Sequence, residues 1–227
     1  MAGEWAGFPK NAHPKQNWPI PFFGNPASAL VATVGVNPSS EEFATDRNWP
    51  AANNRNREAW KTRLKNYFAQ KTLSHDWFDP WRIGLALLDC SYEAGTAAHF
   101  DVSYSATEAM LKNPSPDSKE FRRMVDRDTA WSFKLLRLCP KLRLLLTMGP
   151  IIGENLRPMS WLGFLCDFAP RHGFKVIHNQ GFWEFWHEAT RKVLVAQDAD
   201  TPAEKCITCR VVNNLQAHRD DLRQRLA

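Results

Sequence analysis

The chain has 227 residues, of which 44% are hydrophobic and 23% charged, a composition that excludes disordered and fibrous classes. This length predicts a single domain over residues 1–227. Its net charge of +5 permits a polyanionic partner without requiring one. The five cysteines are odd in number and no secretory signal is recognisable, so we expect a cytoplasmic protein. The uncharged stretch of residues 19–40 contains four prolines, so we expect no membrane partner.

The first elements in chain order are an arm and a buried strand. Residues 1–26 are rich in proline and tryptophan without a clear period, which predicts an arm that wraps the domain surface. The β-branched apolar run 30–34 predicts a buried strand. The polar loop 35–40 then places Asn37 at the carboxyl end of that strand, where ligands bind in open α/β sheets. An amide there can hold a water or a nucleobase edge, although Asn-Pro also simply starts turns.

A basic segment follows this loop. Large apolar residues at helical spacing predict a helix from about residue 57 to 70: Trp60, Leu64, Tyr67 and Phe68. On another face, Arg57, Lys61 and Lys65 form a basic line. The segment 46–71 contains seven basic and two acidic residues, a balance equal to that of the whole chain. A solvated helix face explains this line, and contact with nucleic-acid phosphates is the alternative.

Helices and strands alternate through the rest of the chain. Asp79-Pro80 has the form of a cap and first-turn proline that open a helix. Further elements are predicted in this order: a strand at 98–104, a helix from 117 to before 140, a strand at 142–148, a helix from about 151, strands at 174–178, 191–197 and 206–212, and a helix from about 216 to 226. This alternation predicts a three-layer α/β/α sandwich with a central, mainly parallel sheet.

Polar residues follow several of the predicted strands. Because the carboxyl ends of parallel strands meet at one sheet edge, we expect four groups to converge there: Asn37, residues 103–107, residues 147–149, and Asn213-Asn214. The chain has no Ser-His-Asp order, Walker loop or G-x-G-x-x-G, which argues against the enzymes that those motifs mark. Cys206-x-x-Cys209 lacks a second cysteine pair, so we predict no metal.

The segment Gly35-Val36-Asn37-Pro38-Ser39 after a strand resembles the first active-site motif of the uracil-DNA glycosylase superfamily. It is closest to the mismatch-specific and single-strand-selective branches, which carry Gly-x-Asn-Pro-Gly. The resemblance implies a uracil-DNA glycosylase-like fold and a monofunctional DNA N-glycosylase that needs no cofactor. Such an enzyme acts in base-excision repair on a damaged or deaminated base, and Asn37 would position the hydrolytic water.

The same resemblance implies roles for other residues. Phe43 would stack on the extruded base, Ser103 or Tyr104 would replace a base-reading asparagine, His178 would supply an imidazole, and Leu215 would enter the duplex as a wedge. The full set of expected substrate contacts is Gly35, Val36, Pro38, Ser39, Phe43, Ser103, Tyr104, His178, Asn213, Asn214 and Leu215. Residues expected on the DNA backbone are Arg55, Arg57 and Lys61.

One departure keeps two alternatives open. Where the family has His-Pro-Ser or similar before its last helix, this chain has Val212-Asn213-Asn214-Leu215-Gln216. A non-catalytic nucleic-acid-binding module that retains the glycosylase fold is therefore one alternative, and an unrelated small-molecule α/β enzyme is another. As a glycosylase the protein would be a monomer that binds single- or double-stranded DNA.

Overall fold

The computed structural model describes most of the chain, on both sides of the predicted motif. The described residues are 19–35, 37–39, 42, 57–69, 75–106, 119–147, 150–152, 158–160, 165–166, 168–179, 182–187, 189, 192–198 and 215–227. Their strands in chain order are β1 (Phe22–Gly24), β2 (Val31–Gly35), β3 (Ala97–Asp101), β4 (Leu144–Thr147), β5 (Pro150–Ile152), β6 (Pro158–Ser160), β7 (Phe174–Asn179), β8 (Phe182–His187) and β9 (Lys192–Asp198). Their longer helices are α1 (Arg57–Lys65), α2 (Asp79–Ala86), α3 (Lys119–Leu138) and α4 (Arg219–Leu226).

A seven-stranded mixed sheet lies at the centre of this described part, in the order β1-β3-β2-β4-β9-β8-β7. The four central strands β3, β2, β4 and β9 are parallel to one another. Antiparallel strands flank them, with β1 beside β3 and the pair β8 and β7 beyond β9. β5 and β6 form a separate antiparallel ribbon. β2 and β4 are buried on both faces, which explains their nearly continuous apolar sequences.

Helices pack on both faces of the sheet. On one face, Val31 of β2 and Leu144 of β4 share a core with apolar side chains of three helices: Trp60 and Leu64 of α1, Trp81 and Leu85 of α2, and Leu222 of α4. On the other face, Ala32 and Val34 pack with Phe133 and Leu136 of α3. Successive strand residues point to opposite faces, so β2 contributes to both cores.

The connections after β2 and β3 leave the sheet on opposite sides. β2 leads to α1 and α2 on one face, whereas the neighbouring β3 leads to α3 on the other. Along the sheet, β2 connects to β3 on one side and β4 connects onward to β9 on the other. The topological switch point therefore lies between β2 and β4, and the crevice at the carboxyl ends of such strands is the usual ligand site of an open α/β sheet. The loop that carries Asn37 begins at this point.

The predicted α/β class with a parallel centre is confirmed at this level, and three local predictions are corrected. The helix expected from about residue 151 is wrong, since residues 150–152 form β5; a short run containing Ile151-Ile152 suits either state. β8 was not predicted. Within the expected irregular arm, β1 forms an edge strand, because Phe23 buries its ring in the core. The predicted strand at 206–212 lies outside the described residues.

Candidate functional site

Asn37 links the loops that follow β2 and β3. Its side chain is half-buried, and its Nδ2 donates to the carbonyl oxygens of Pro38 at 3.0 Å and Ser105 at 3.1 Å. A primary amide has two N–H groups, so the two bonds together fix the amide plane and the direction of Oδ1. The amide donors of Asn37 therefore hold the crevice together, and Oδ1 is the atom of this amide that suits an incoming donor such as water.

The buried carboxylate of Glu42 attaches the loop that carries Asn37 to the segment after α1. Glu42 is 3% exposed, and both of its carboxylate oxygens lie within 2.9 Å of the Tyr67 hydroxyl, which donates to them. The backbone N–H of Glu42 also donates to the carbonyl of Ser39 at 3.1 Å. Tyr67 follows α1, so these bonds attach the Asn37 loop to the helix on one face of the sheet.

His99 and Asp101 of β3 lie directly beside Gly35. They are two residues apart in a strand and share a face, and the strand register places Asp101 opposite Gly35. His99 Nε2 lies 3.3 Å from Asp101 Oδ1, and both side chains are 3% exposed. A Cβ at position 35 would lie 2.8 Å from Asp101 Oδ1 and 2.9 Å from His99 Nε2. Glycine at this position therefore leaves the space that the pair occupies.

A chain of buried hydrogen bonds orients the imidazole. The Tyr92 hydroxyl lies 2.5 Å from Thr33 Oγ1, which in turn lies 2.8 Å from His99 Nδ1. Burial raises the pKa of Tyr92 far above its ordinary value, so this hydroxyl keeps its proton. Every proton finds an acceptor when Tyr92 donates to Thr33, Thr33 donates to Nδ1, and Nε2–H donates to Asp101. In this direction the carboxylate oxygen of Asp101 is the acceptor at the end of the chain of hydrogen bonds.

The two carboxylate oxygens of Asp101 differ in their hydrogen bonding. Within the described part of the chain, Oδ2 is buried and has no hydrogen-bond partner. Buried polar atoms in folded proteins nearly always have a partner, so a carboxylate oxygen without one at the end of β3 calls for an explanation.

Aromatic rings surround the imidazole. The ring centroids of Trp77 and Phe78 lie 5.1 and 5.2 Å from that of His99, both in edge contact, and Phe23 lies 6.1 Å away and stacked. Phe23 and Phe78 are buried, whereas Trp77 is 40% exposed. Trp77 therefore joins the buried pair to the protein surface.

A second buried network holds the segment after β3. Asp128 of α3 is fully buried and accepts hydrogen bonds from Ser103 Oγ at 2.5 Å and Arg127 Nε at 2.5 Å. Arg127 Nη2 also donates to Ser105 Oγ at 3.2 Å, and its guanidinium lies 5.4 Å from the centroid of the Tyr104 ring. Burial, and then the charge of Asp128, raises the pKa of Tyr104 to about 12. These contacts fix the carbonyl of Ser105 that Asn37 binds.

The structure brings several of the predicted site residues together. Gly35, Asn37, Ser103 and Tyr104 all lie at the carboxyl ends of β2 and β3, and Pro38 and Ser39 follow in the motif loop. The hydroxyl of Ser103 is bound to Asp128, so Ser103 orients the backbone of its segment and does not face a ligand.

Two predicted contacts lie in surroundings that do not fit the roles expected of them. His178 lies in the edge strand β7, four strand positions from β2, a separation of about 19 Å at the usual spacing. Its exposed ring packs against Trp183, with centroids 4.7 Å apart, so it supplies no imidazole to the Asn37 crevice. Leu215 is 0% exposed and belongs to the core beside α4. A leucine held there by apolar packing cannot project as a wedge.

Of the remaining predicted contacts, two lie in the part of the chain that the structure describes, and five lie outside it. Arg57 is exposed at the start of α1, and Lys61 pairs with Glu58 at 2.7 Å. The following predicted contacts lie outside the described residues: Val36, Phe43, Arg55, Asn213 and Asn214.

The His99 and Asp101 pair and the carboxylate of Asp128 are not among the site residues predicted from the sequence. A signal for the pair exists, because His-x-Asp in a strand places both side chains on one face. Asp128 carries no comparable signal, since a carboxylate within a helix pattern normally indicates a solvated face. In the described ranges no three His, Cys, Asp or Glu side chains are grouped to hold a metal ion.

Comparison with known proteins adds no assignment to this site: no family model matches the chain, and no curated protein matches it. Among the helices that the structure describes, none has the length and hydrophobicity to cross a bilayer. The function is therefore inferred from the geometry of the crevice and the resemblance of its motif.

Proposed function

We propose that the protein hydrolyses the N-glycosidic bond of a damaged or deaminated base in DNA, and that its fold is uracil-DNA glycosylase-like. The observation that carries this proposal is the Asn37 amide, fixed by Pro38 and Ser105 at the switch point of the sheet. A rigid acceptor at that point is what a reaction needs when its nucleophile is a water held in one place.

The chemistry fits a site without a strong nucleophile. Cleavage of the bond leaves positive charge on the sugar and negative charge on the departing base, so the attacking water needs orientation more than activation. Asn37 Oδ1 would accept a hydrogen bond from that water and direct its lone pair toward the sugar carbon. An amide oxygen carries two lone pairs, so it can accept from water in addition to a protein donor.

The basic face of α1 would bind the DNA backbone. Arg57 is exposed, whereas the charge of Lys61 is already balanced by Glu58. Arg57 is therefore the stronger of these two candidates for a phosphate contact. If it makes such a contact, Arg57→Ala is expected to lower the slope of log affinity against log salt by about 1.

The test is release of free base from oligonucleotides that carry uracil, hypoxanthine or xanthine. We expect release by the wild-type protein and a loss of about 100-fold in Asn37→Ala, in line with removal of one positioned polar group. Asn66→Ala, which changes an exposed asparagine after α1, is the matched control and should retain full activity.

The other outcomes distinguish the alternatives. Salt-dependent DNA binding without base release would contradict the enzyme and support a non-catalytic nucleic-acid-binding module. Absence of both DNA binding and base release would favour the alternative of an unrelated small-molecule enzyme.

A further inference from the structure

A buried polar cluster connects α3 to the segment that follows β3. Its members Asp128, Ser103 and Ser105 are all 0% exposed. Asp128 Oδ2 accepts hydrogen bonds from Ser103 Oγ at 2.5 Å and from Ser105 Oγ at 3.4 Å. Four residues later in α3, Ser132 Oγ donates to the carbonyl oxygen of Val102 at 2.8 Å. One helix therefore holds the chain from the end of β3 to Ser105.

Stability alone does not explain a carboxylate at this position. Burial of a carboxylate costs hydration, and replacement of a buried ion pair by well-packed apolar side chains is often neutral or stabilising. Asp128 is nevertheless fully buried, with Arg127 Nε donating to its Oδ1 at 2.5 Å. Hydrogen bonds differ from apolar contacts in direction, because they weaken steeply when the angle at the hydrogen closes. The cluster is therefore suited to fixing the geometry of the backbone that it binds.

The backbone group that this cluster fixes is the carbonyl of Ser105. The N–H of Ser105 donates to Ser103 Oγ at 3.3 Å, and its hydroxyl donates to Asp128 Oδ2. The next residue, Ala106, is buried in the core that contains Trp60 and Leu64 of α1. The peptide group between Ser105 and Ala106 is thus held on both sides. Its carbonyl oxygen is the one that accepts a hydrogen bond from the side chain of the motif asparagine.

We propose that Asp128 is a positioning residue for Asn37, which acts through Ser103 and Ser105 to aim the Asn37 amide before substrate binds. The inference rests on the proposed function for the reaction that this amide serves. The Ser105 carbonyl fixes one amide N–H, and because a primary amide is planar it also fixes the direction of Oδ1. Small displacements of a positioned group slow a reaction even when their cause lies far from the reacting atoms. Asp128 therefore controls kcat and leaves substrate binding unchanged.

Hydrogen exchange of the Asn37 side-chain amide tests this proposal without any substrate. NMR magnetisation transfer from water measures the exchange of the two Nδ2 protons, which are assigned by their absence from the spectrum of Asn37→Ala. In Asp128→Asn, an NH2 group replaces one acceptor oxygen, so Arg127 or Ser103 loses its acceptor. We expect exchange to become about 2- to 10-fold faster, the equivalent of one hydrogen bond.

A second variant and a matched control accompany Asp128→Asn. Ser103→Ala removes one bond of the cluster and leaves the contact of Asp128 with Arg127 in place, so it should accelerate exchange in the same way. Asp220→Asn makes the same chemical change at a carboxylate of α4 that is 85% exposed. It should leave the exchange of the Asn37 amide, kcat and KM unchanged.

The kinetics of base release distinguish positioning from a general loss of structure. Asp128→Asn should lower kcat about 10-fold and keep KM within about 2-fold of the wild-type value. In Asn37→Ala/Asp128→Asn, kcat should equal that of Asn37→Ala alone, because no amide remains to be positioned. A smaller folded fraction would instead lower kcat by the same factor in both backgrounds.

Two results would overturn the inference: unchanged exchange in folded Asp128→Asn and Ser103→Ala, or a loss of kcat that multiplies with that of Asn37→Ala. If Asp128→Asn does not fold, Ser103→Ala decides on the same two readouts. Absence of base release by the wild-type protein contradicts the proposed function alone, since the exchange measurement still decides whether Asp128 positions the amide. Base release by the wild-type protein together with unchanged exchange in the variants contradicts the inference alone.

Discussion

Gly35 and Asp101 face each other across two parallel strands so closely that a Cβ on Gly35 would lie 2.8 Å from Asp101 Oδ1. The first glycine of the motif thus makes room for a buried carboxylate on the next strand. His99 lies at the same contact, 2.9 Å from that Cβ position. The motif and the His99 and Asp101 pair are therefore one packed unit.

The first prediction concerns this contact. Gly35→Ala is expected to lower the free energy of unfolding by about 1–3 kcal/mol, because the added methyl group overpacks a site with no flexible neighbour. Urea denaturation monitored by tryptophan fluorescence measures the change. The double variant Gly35→Ala/Asp101→Ala should recover part of the loss, since it removes one of the two atoms that the methyl group meets. Wild-type stability in Gly35→Ala would contradict the packing described.

The second prediction concerns the direction of the Asn37 hydrogen bonds. Asn37→Ala removes two donors and should cost about 1–3 kcal/mol of unfolding free energy. Asn37→Asp should be less stable still at neutral pH, because a carboxylate cannot donate to the carbonyls of Pro38 and Ser105 and repels them. Thermal and urea unfolding of the two variants side by side decides the order. Wild-type stability in Asn37→Asp would mean that the amide donates to neither carbonyl.

The sequence predicts the central strands of the sheet and the position of Asn37 after the first of them, because both depend on local patterns. β2 and β4 are continuous apolar runs between polar loops, and the motif follows the first of them. The contact of Asp101 with Gly35 depends instead on the register of two strands separated by 61 residues of chain. No local periodicity encodes that register. The same limit applies to Leu215, for which the resemblance implies a wedge, since its burial depends on a core that distant segments build.

The third prediction concerns alkaline stability. Burial, and then the charge of Asp128, raises the pKa of Tyr104 to about 12 from an ordinary 10.0. Because the unfolded chain loses this proton first, the contribution of Tyr104 to stability is fully present below pH 10 and is lost as the pH rises through 12. Tyr104→Phe cannot ionise, so its unfolding midpoint in urea should fall less steeply over that range. Burial also raises the pKa of Tyr92, which both proteins share, so a slope remains in the variant. Equal slopes would contradict the assignment.

The last prediction separates a core leucine from a DNA wedge. Leu215 is 0% exposed and packs in the core that also contains Leu222 of α4. Leu215→Ala is therefore expected to cost about 2–5 kcal/mol of unfolding free energy through lost burial and a cavity. The folded fraction should retain wild-type affinity for DNA. Leu138→Ala, at a site 62% exposed, is the matched control and should change stability by less than about 0.5 kcal/mol. A stable Leu215→Ala protein with weakened DNA binding would restore the wedge and overturn the packing assigned to this residue.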